Sequence, residues 1–397
     1  MKLTIGKLRM EEVGNVVVLS ADIRYNAESF RLEYEYDHRM KEYIVHERAD
    51  AFLVSLLPYA MMKARGDAQL VIETLTPVSE ELYHQLVNYQ IPVLEKNISY
   101  YKNVKILPNV SSEPLYSSGA VATGVSGGVD SSYTLAKYSG DENRNFKLTH
   151  GIFYNLGIYD GYTSQAEKNL EDNSRKICEH LGIEFVKIKN NIIEKVYKKC
   201  YGPIVPSVMM GGVLSLQKLF SVYYLSAEVA AEEIYFSEDY ACFYDWLSTS
   251  NYSTKNTRFY CSGIELKRLD KIKYISQKEF VRKHLSVCIH ANTLGKNCSK
   301  CAKCTTAMVS LDAIGELDNF SECFDVERYN NNLDYYLSYV IMKNKGNDLW
   351  CREIYNEYIK NKGKFPASAE NEAQRKWISR GNSAENPLKE RVEDLIK

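Results

Sequence analysis

Two short stretches of this chain hold residue types whose spacing can do chemistry. The first is Gly124-Val125-Ser126-Gly127-Gly128-Val129-Asp130-Ser131-Ser132. Adjacent glycines permit positive φ and let backbone amides approach a ligand with no Cβ in the way. Ser126, Ser131 and Ser132 add hydroxyls, and a helix starting here would present free N–H groups and the positive end of its dipole. The stretch therefore reads as a cradle for phosphate or pyrophosphate. A bare strand-to-helix turn would need the glycines but not the serines or the acid. Neither Gly-x-x-x-x-Gly-Lys-Ser/Thr nor Gly-x-Gly-x-x-Gly occurs, which disfavours a Walker A loop and a dinucleotide site.

The second stretch is Cys288, Cys298, Cys301 and Cys304, spaced C-x9-C-x2-C-x2-C. Cys-x-x-Cys lets two thiolates converge on one ion, and a further Cys upstream can close a tetrahedron, as in structural zinc sites. Lys296, Lys300 and Lys303 would offset the charge of four thiolates. An iron–sulfur cluster competes for the same spacing, although the Cys-Pro continuation of bacterial ferredoxins is missing. Cys178, Cys200, Cys242, Cys261, Cys323 and Cys351 are scattered and read as small buried apolar residues. Arg268 and Lys271 lie three apart, on one face if helical, where they could grip a carboxylate or an α-phosphate. A solvated face with Lys267, Asp270 and Lys273 is the plainer alternative.

The elements that must position these residues follow from the hydrophobic pattern. Gly119 to Val125 and Leu148 to Tyr154 read as strands, Ser131 to Tyr138 and Ser164 to Leu181 as helices, with Gly182 as a C′ residue. Glu184 to Ile188 continues as a third strand, Leu214 to Ala231 as a long helix and Glu233 to Phe236 as a fourth strand. That alternation predicts an α/β doubly wound parallel sheet covered on both faces, with ligands at the carboxyl ends of the strands. Upstream, Val16 to Leu19, Phe30 to Tyr36, Tyr43 to Val45 and Gln69 to Glu73 read as strands; Asp50 can cap a helix that Pro58 kinks or ends, and Ser79 to Tyr89 forms another. Helices are predicted over Thr305 to Ile314, Leu333 to Lys343, Leu349 to Lys362 and Pro387 to Lys397. The expected organisation is an N-terminal α+β domain (1–112), a nucleotide domain (113–287), a four-cysteine module (288–310) and a helical extension (311–397).

Composition narrows the classes. The chain has 397 residues with 50 Lys plus Arg against 51 Asp plus Glu, so a nucleic-acid partner is disfavoured. Ten Cys at this length suit a reducing compartment rather than a disulfide scaffold. The charged N-terminus lacks a signal-peptide core, and Met209 to Ala231 is interrupted by Gln217, Lys218 and Glu228, too polar to span a bilayer. A cytoplasmic protein without membrane contact is expected.

The segment Ser126 to Ser131 matches Ser-Gly-Gly-x-Asp-Ser, and it thereby resembles the PP-loop of the ATP pyrophosphatases, the adenine nucleotide alpha-hydrolase-like group. Together with the four cysteines, and with Gly211-Gly212 ahead of a helix, the chain is similar over about 119 to 310 to the 7-cyano-7-deazaguanine synthase branch of the queuosine pathway. The resemblance implies a HUP-type fold, ATP with Mg²⁺, and cleavage between the α and β phosphates. It implies that Ser126, Gly127, Gly128, Val129, Asp130, Ser131 and Ser132 hold the leaving pyrophosphate, and that Phe153 and Asn155 lie beside adenine or ribose. It implies zinc on Cys288, Cys298, Cys301 and Cys304. The expected reaction is adenylation of a carboxylate or amide-type oxygen, then attack by a nitrogen nucleophile. Ser126, Asp130, Ser131, Arg268 and Lys271 are the expected catalytic groups. The expected substrate is a small molecule or peptide bearing a carboxylate, and a homodimer is open. Sulfur insertion, or an ATP-using module that modifies a protein partner, are the alternatives.

Overall fold

A computed structural model describes residues 1–64, 69–156, 164–198, 200–288 and 297–379. The strands are β1 (Lys2–Ile5), β2 (Arg9–Val13), β3 (Val16–Tyr25), β4 (Glu28–Asp37), β5 (Leu70–Thr74), β6 (Val78–Ser79) and β7 (Val104–Ile106). They continue as β8 (Val110–Ser111), β9 (Ala120–Gly124), β10 (His150–Asn155), β11 (Glu184–Asn190), β12 (Phe220–Ser226) and β13 (Arg258–Ser262). The helices begin with α1 (Asp50–Lys63), α2 (Glu80–Gln85), α3 (Ile91–Asn97), α4 (Val129–Tyr138), α5 (Ser164–Leu181), α6 (Val205–Leu214) and α7 (Asp245–Asn251). Then come α8 (Arg268–Ile275), α9 (Glu279–His284), α10 (Ala302–Ala313), α11 (Val326–Asn331), α12 (Leu333–Lys345), α13 (Leu349–Lys362) and α14 (Ala367–Ser379).

Eleven strands form one sheet in the order β13-β12-β9-β10-β11-β4-β3-β1-β5-β7, with β2 beside β3. The segment from β13 to β11 is all parallel. Numbered from β9 in chain order, its strands run 3-2-1-4-5, the order of doubly wound sheets. Neighbouring residues on a strand point to opposite faces. Ile152 and Tyr223 accordingly join one core, Phe153 and Tyr224 the other, and helices cover both sides. In the antiparallel part, Val17, Leu19, Ala21 and Ile23 are buried while Arg24 is exposed, the signature of a sheet wet on one face. The antiparallel pairing of β11 with β4, Lys189 opposite Glu35, carries the sheet across the boundary expected near residue 112.

Most of the predicted elements form, but three do not. Leu214 to Ala231 is not a helix. Its Val222-Tyr223-Tyr224-Leu225 run is β-branched and aromatic, and it pairs as β12 between β9 and β13. The helix lies just upstream as α6, with Pro206 in its first turn. Gly211 sits inside α6 rather than ahead of a helix, and a Cβ there would fall 2.0 Å from Ser55 Oγ of α1. Glu233 to Phe236 is not a strand; a short 3-10 turn, Ala231–Glu233, leads out of the sheet. Tyr43 to Val45 is not a strand either: Tyr43 ends another such turn, His38–Tyr43. Pro58 sits inside the buried, 14-residue α1 without ending it. The predicted helix Pro387 to Lys397 lies outside the described residues. No helix among the described residues is long and apolar enough to cross a membrane.

Candidate functional site

Strand order reverses between β9 and β12, and the glycine turn leaves the sheet there, from the end of β9 into α4. Such a switch point opens a crevice at the strand ends. Gly127 has φ +73, and a Cβ on it would meet Asn173 Nδ2 at 3.0 Å, the His284 carbonyl at 3.2 Å and Ser286 Cβ at 3.2 Å. Only glycine meets both conditions without strain. The turn is braced by Ser126 Oγ, which accepts from the Gly128 N–H at 3.2 Å and pairs with Ser131 Oγ at 2.9 Å. Gly128 is the N-cap of α4, so the first N–H groups of that helix, from Val129 onward, have no helical carbonyl to bond. Ser126 is exposed, whereas Ser132 is 1% exposed and faces inward.

Asp130 stands in the first turn of α4 and meets two of the cations of α8. Arg268 Nη1 lies 2.6 Å from Asp130 Oδ2, and Lys271 Nζ lies 3.5 Å from Asp130 Oδ1. Lys271 is fully buried and donates to the Ala227 carbonyl, at the end of β12, at 2.6 Å. The alternative of a solvated face is overturned for these two: Arg268 and Lys271 point inward, and the Arg268 guanidinium lies 4.7 Å over the Trp350 ring. Farther along the strand ends, Asp245 is buried beside Cys261, whose thiol is 3.7 Å from Asp245 Oδ1. Burial, with Glu228 nearby, pushes the Asp245 carboxyl up to about 8.

The two remaining candidates lie on β10. Phe153 is 3% exposed and stacks on Phe185 in the core beneath α5. Asn155, at the end of β10, donates to Glu167 of α5.

The four cysteines come together. Their sulfurs all lie within 4.8 Å of one another, with separations of 3.4 Å (Cys301–Cys304), 3.8 Å (Cys298–Cys304) and 4.0 Å (Cys288–Cys301). A tetrahedral ion with bonds of ~2.3 Å to sulfur sets its ligands roughly 3.8 Å apart, so the cage fits one ion. A cubane cluster holds thiolates at its outer corners and needs a wider cage. Ser299 turns with φ +55, and Cys301 caps α10, accepting from the Cys304 N–H. The bond to Cys301, then burial and the neighbouring sulfurs, raise the Cys304 thiol.

Asn297 organises this cage from behind. Its Oδ1 accepts from the Val287 and Cys288 N–H groups at 2.8 and 3.2 Å, and its Nδ2 donates to the Leu285 and Cys323 carbonyls at 2.8 and 3.1 Å. Two residues before Cys288, the Ser286 N–H donates to the Gly127 carbonyl at 2.8 Å. Cysteine cage and glycine turn are therefore tied through one short segment. Asn297, Ser286 and Asn173 carry no motif; an amide directly before Cys298 is the one available sequence signal.

Between α8, α10 and α13 lies a small cleft that reaches Val129 at the start of α4. Arg268, Lys303, Trp350 and Glu353 line its polar side. Two of these come from the helical extension, which the sequence left without a role. Comparison with protein-family models, with curated proteins and with solved structures finds no match.

Proposed function

We propose that the chain is an ATP-dependent adenylating enzyme of the PP-loop ATP pyrophosphatase kind, with a HUP-type nucleotide domain similar to 7-cyano-7-deazaguanine synthase. One observation carries this reading. A Ser-Gly-Gly-x-Asp-Ser turn lies at the switch point of a parallel sheet ordered 3-2-1-4-5, and Arg268 and Lys271 reach its Asp130 from 138 and 141 positions away.

In this reaction a carboxylate or amide-type oxygen of the substrate bonds to the α-phosphorus of ATP. The bond from that phosphorus to the bridging oxygen breaks, and pyrophosphate leaves into the turn. Preorganised N–H groups at the start of α4 and the cations of α8 stabilise the departing charge. A nitrogen nucleophile then forms a C–N bond while AMP leaves with the electron pair. Asp130 orients Arg268 and Lys271, so catalysis rests on placement and electrostatics. Mg²⁺ neutralises phosphate charge in such chemistry. Both oxygens of Asp130 face cations, which supports Mg²⁺ arriving on the nucleotide rather than at a dedicated site. At the cysteine cage, Zn²⁺ would act structurally, since four thiolates leave no open position. Burial pushes the Cys242 and Cys261 thiols well up, the opposite of what sulfur transfer requires.

The test is pyrophosphate release from ATP, screened over small carboxylates, 7-carboxy-7-deazaguanine and peptide termini. Acceptor-dependent AMP and pyrophosphate in equal amounts is the expected result. ADP and phosphate, or no nucleotide cleavage with any acceptor, would overturn the reading. Elemental emission on protein purified without chelators should find one zinc per chain; iron would return the cluster alternative.

A further inference from the structure

We propose that Asn297 and Ser286 are positioning residues, through which an ion held by the four cysteines sets how tightly the glycine turn grips an anion. The proposal takes from the reading above the anion cradle and the ion in the cage, and adds a dependence of one on the other.

The turn needs a constraint from outside. Two adjacent glycines reach its conformation cheaply, and for the same reason they leave it cheaply. The Gly127 carbonyl and the Gly128 N–H share one planar peptide unit, so turning that plane over re-aims a donor of the cradle. The plane is held at both edges. Ser126 Oγ accepts from the Gly128 N–H at 3.2 Å, and the Gly127 carbonyl accepts from the Ser286 N–H at 2.8 Å. The first hold is local and moves with the turn. The second comes from the segment between α9 and the cage.

That segment, residues 285–288, has no helix or strand of its own, and side chains fix its backbone. The His284 carbonyl before it accepts from Asn173 Nδ2 at 3.0 Å. The Leu285 carbonyl accepts from Asn297 Nδ2 at 2.8 Å, and the Val287 and Cys288 N–H groups donate to Asn297 Oδ1 at 2.8 and 3.2 Å. The second Asn297 amide proton goes to the Cys323 carbonyl at 3.1 Å, so every bond that this side chain can make is made. Asn297 directly precedes Cys298 and grips Cys288, which ties it to two of the four cysteines. An ion fixes those cysteines relative to one another, and with them Asn297 and the Ser286 N–H. Thiols without an ion attract one another only weakly. Removing the ion therefore frees the segment, and the turn must then be ordered anew each time an anion binds, which costs affinity.

Hydrogen–deuterium exchange with mass spectrometry on the full chain, loaded with Zn²⁺ and then stripped by a chelator, tests this coupling with no ligand present. Amides of residues 124–132 should exchange at least about fivefold faster after stripping. Amides of α1, in the opposite core, should not change. Ser286→Pro separates the tie from the metal: it removes the N–H, and Leu285, at φ −58 and ψ 120, already has the backbone that precedes a proline. This variant should keep its zinc by elemental emission and still show the faster exchange at 124–132. Where stripping exposes α1 as well, Ser286→Pro decides. Unchanged exchange at 124–132 in that variant would overturn the proposal. Loss of α1 protection in it would do the same, because the tie would then serve the fold at large. Inorganic pyrophosphate, titrated by calorimetry into zinc-loaded protein, should bind roughly tenfold more weakly to Ser286→Pro than to the wild type. Equal affinities would also overturn it. A wild-type chain that binds no pyrophosphate would sink the cradle and the adenylation reading, while the exchange result would still decide the coupling.

Discussion

The cysteine cage and the glycine turn are two anchors built by opposite means. All four thiols of the cage come from 17 consecutive positions, 288 to 304, and converge through a local turn, one cap and one bracing amide. The turn is also local in sequence, yet it acts only through partners that arrive from far along the chain: Asn173 and Ser286 around Gly127, Arg268 and Lys271 around Asp130. The ion group at Asp130 depends on α8 being seated against α4, and so on the whole parallel half of the sheet.

The largest effect should come from the cage. Cys304→Ser removes a buried ligand, and because a structural zinc contributes ~10–16 kcal/mol to folding, the variant should lose its metal by elemental emission and lose more than ~5 kcal/mol in stability. A variant that keeps both would break the contrast at its stronger end. Next is Asp130→Asn, which leaves Lys271 buried without its counter-charge and should cost ~3 kcal/mol in a denaturant titration. Adding Lys271→Met should recover much of that loss, and a strictly additive double mutant would show that the two residues do not act as a unit.

Gly127→Ala should cost ~1–3 kcal/mol through its positive φ and the crowding by the His284 carbonyl. Its signature is selective: metal content stays at the wild-type level while nucleotide affinity falls, unless the Ser286 tie transmits strain to Cys288. The last effect, read against pH, concerns Asp245. Its carboxyl is pushed up to about 8 in the fold against ~3.9 in an unfolded chain, so the native state keeps a proton that the unfolded state has released. The contribution of Asp245 to stability therefore falls as pH rises from about 4 to about 8 and then levels. Asp245→Asn should flatten the decline in denaturation midpoint between pH 5 and pH 8, and an unchanged slope would refute the shift.

Legibility divided along the same line. The turn, the cysteine spacing, α5 with Gly182 behind it, and α13 all rest on local rules of conformation, periodicity and ligand reach, and they stand at the predicted residues. Strand β12 was masked because a buried parallel strand alternates no more than a buried helix does, so its apolar run merged with that of α6. Missing β12 and β13 moved the sheet edge, and with it the floor on which Asp245, Lys271 and the Ala227 carbonyl meet. The Arg268–Lys271 spacing was visible, but whether that face met water or Asp130 was not.

By itself, then, the amino-acid sequence determined where an anion could be cradled and where an ion could be caged, since both follow from residue types within reach of one turn of backbone. Tertiary structure alone decided which distant charges face the cradle, that Ser286 ties it to the cage, and that a cleft walled by Trp350 and Glu353 opens beside it. The physical reason is that these contacts span 80 to 160 positions, and no local propensity encodes the seating of one helix against another.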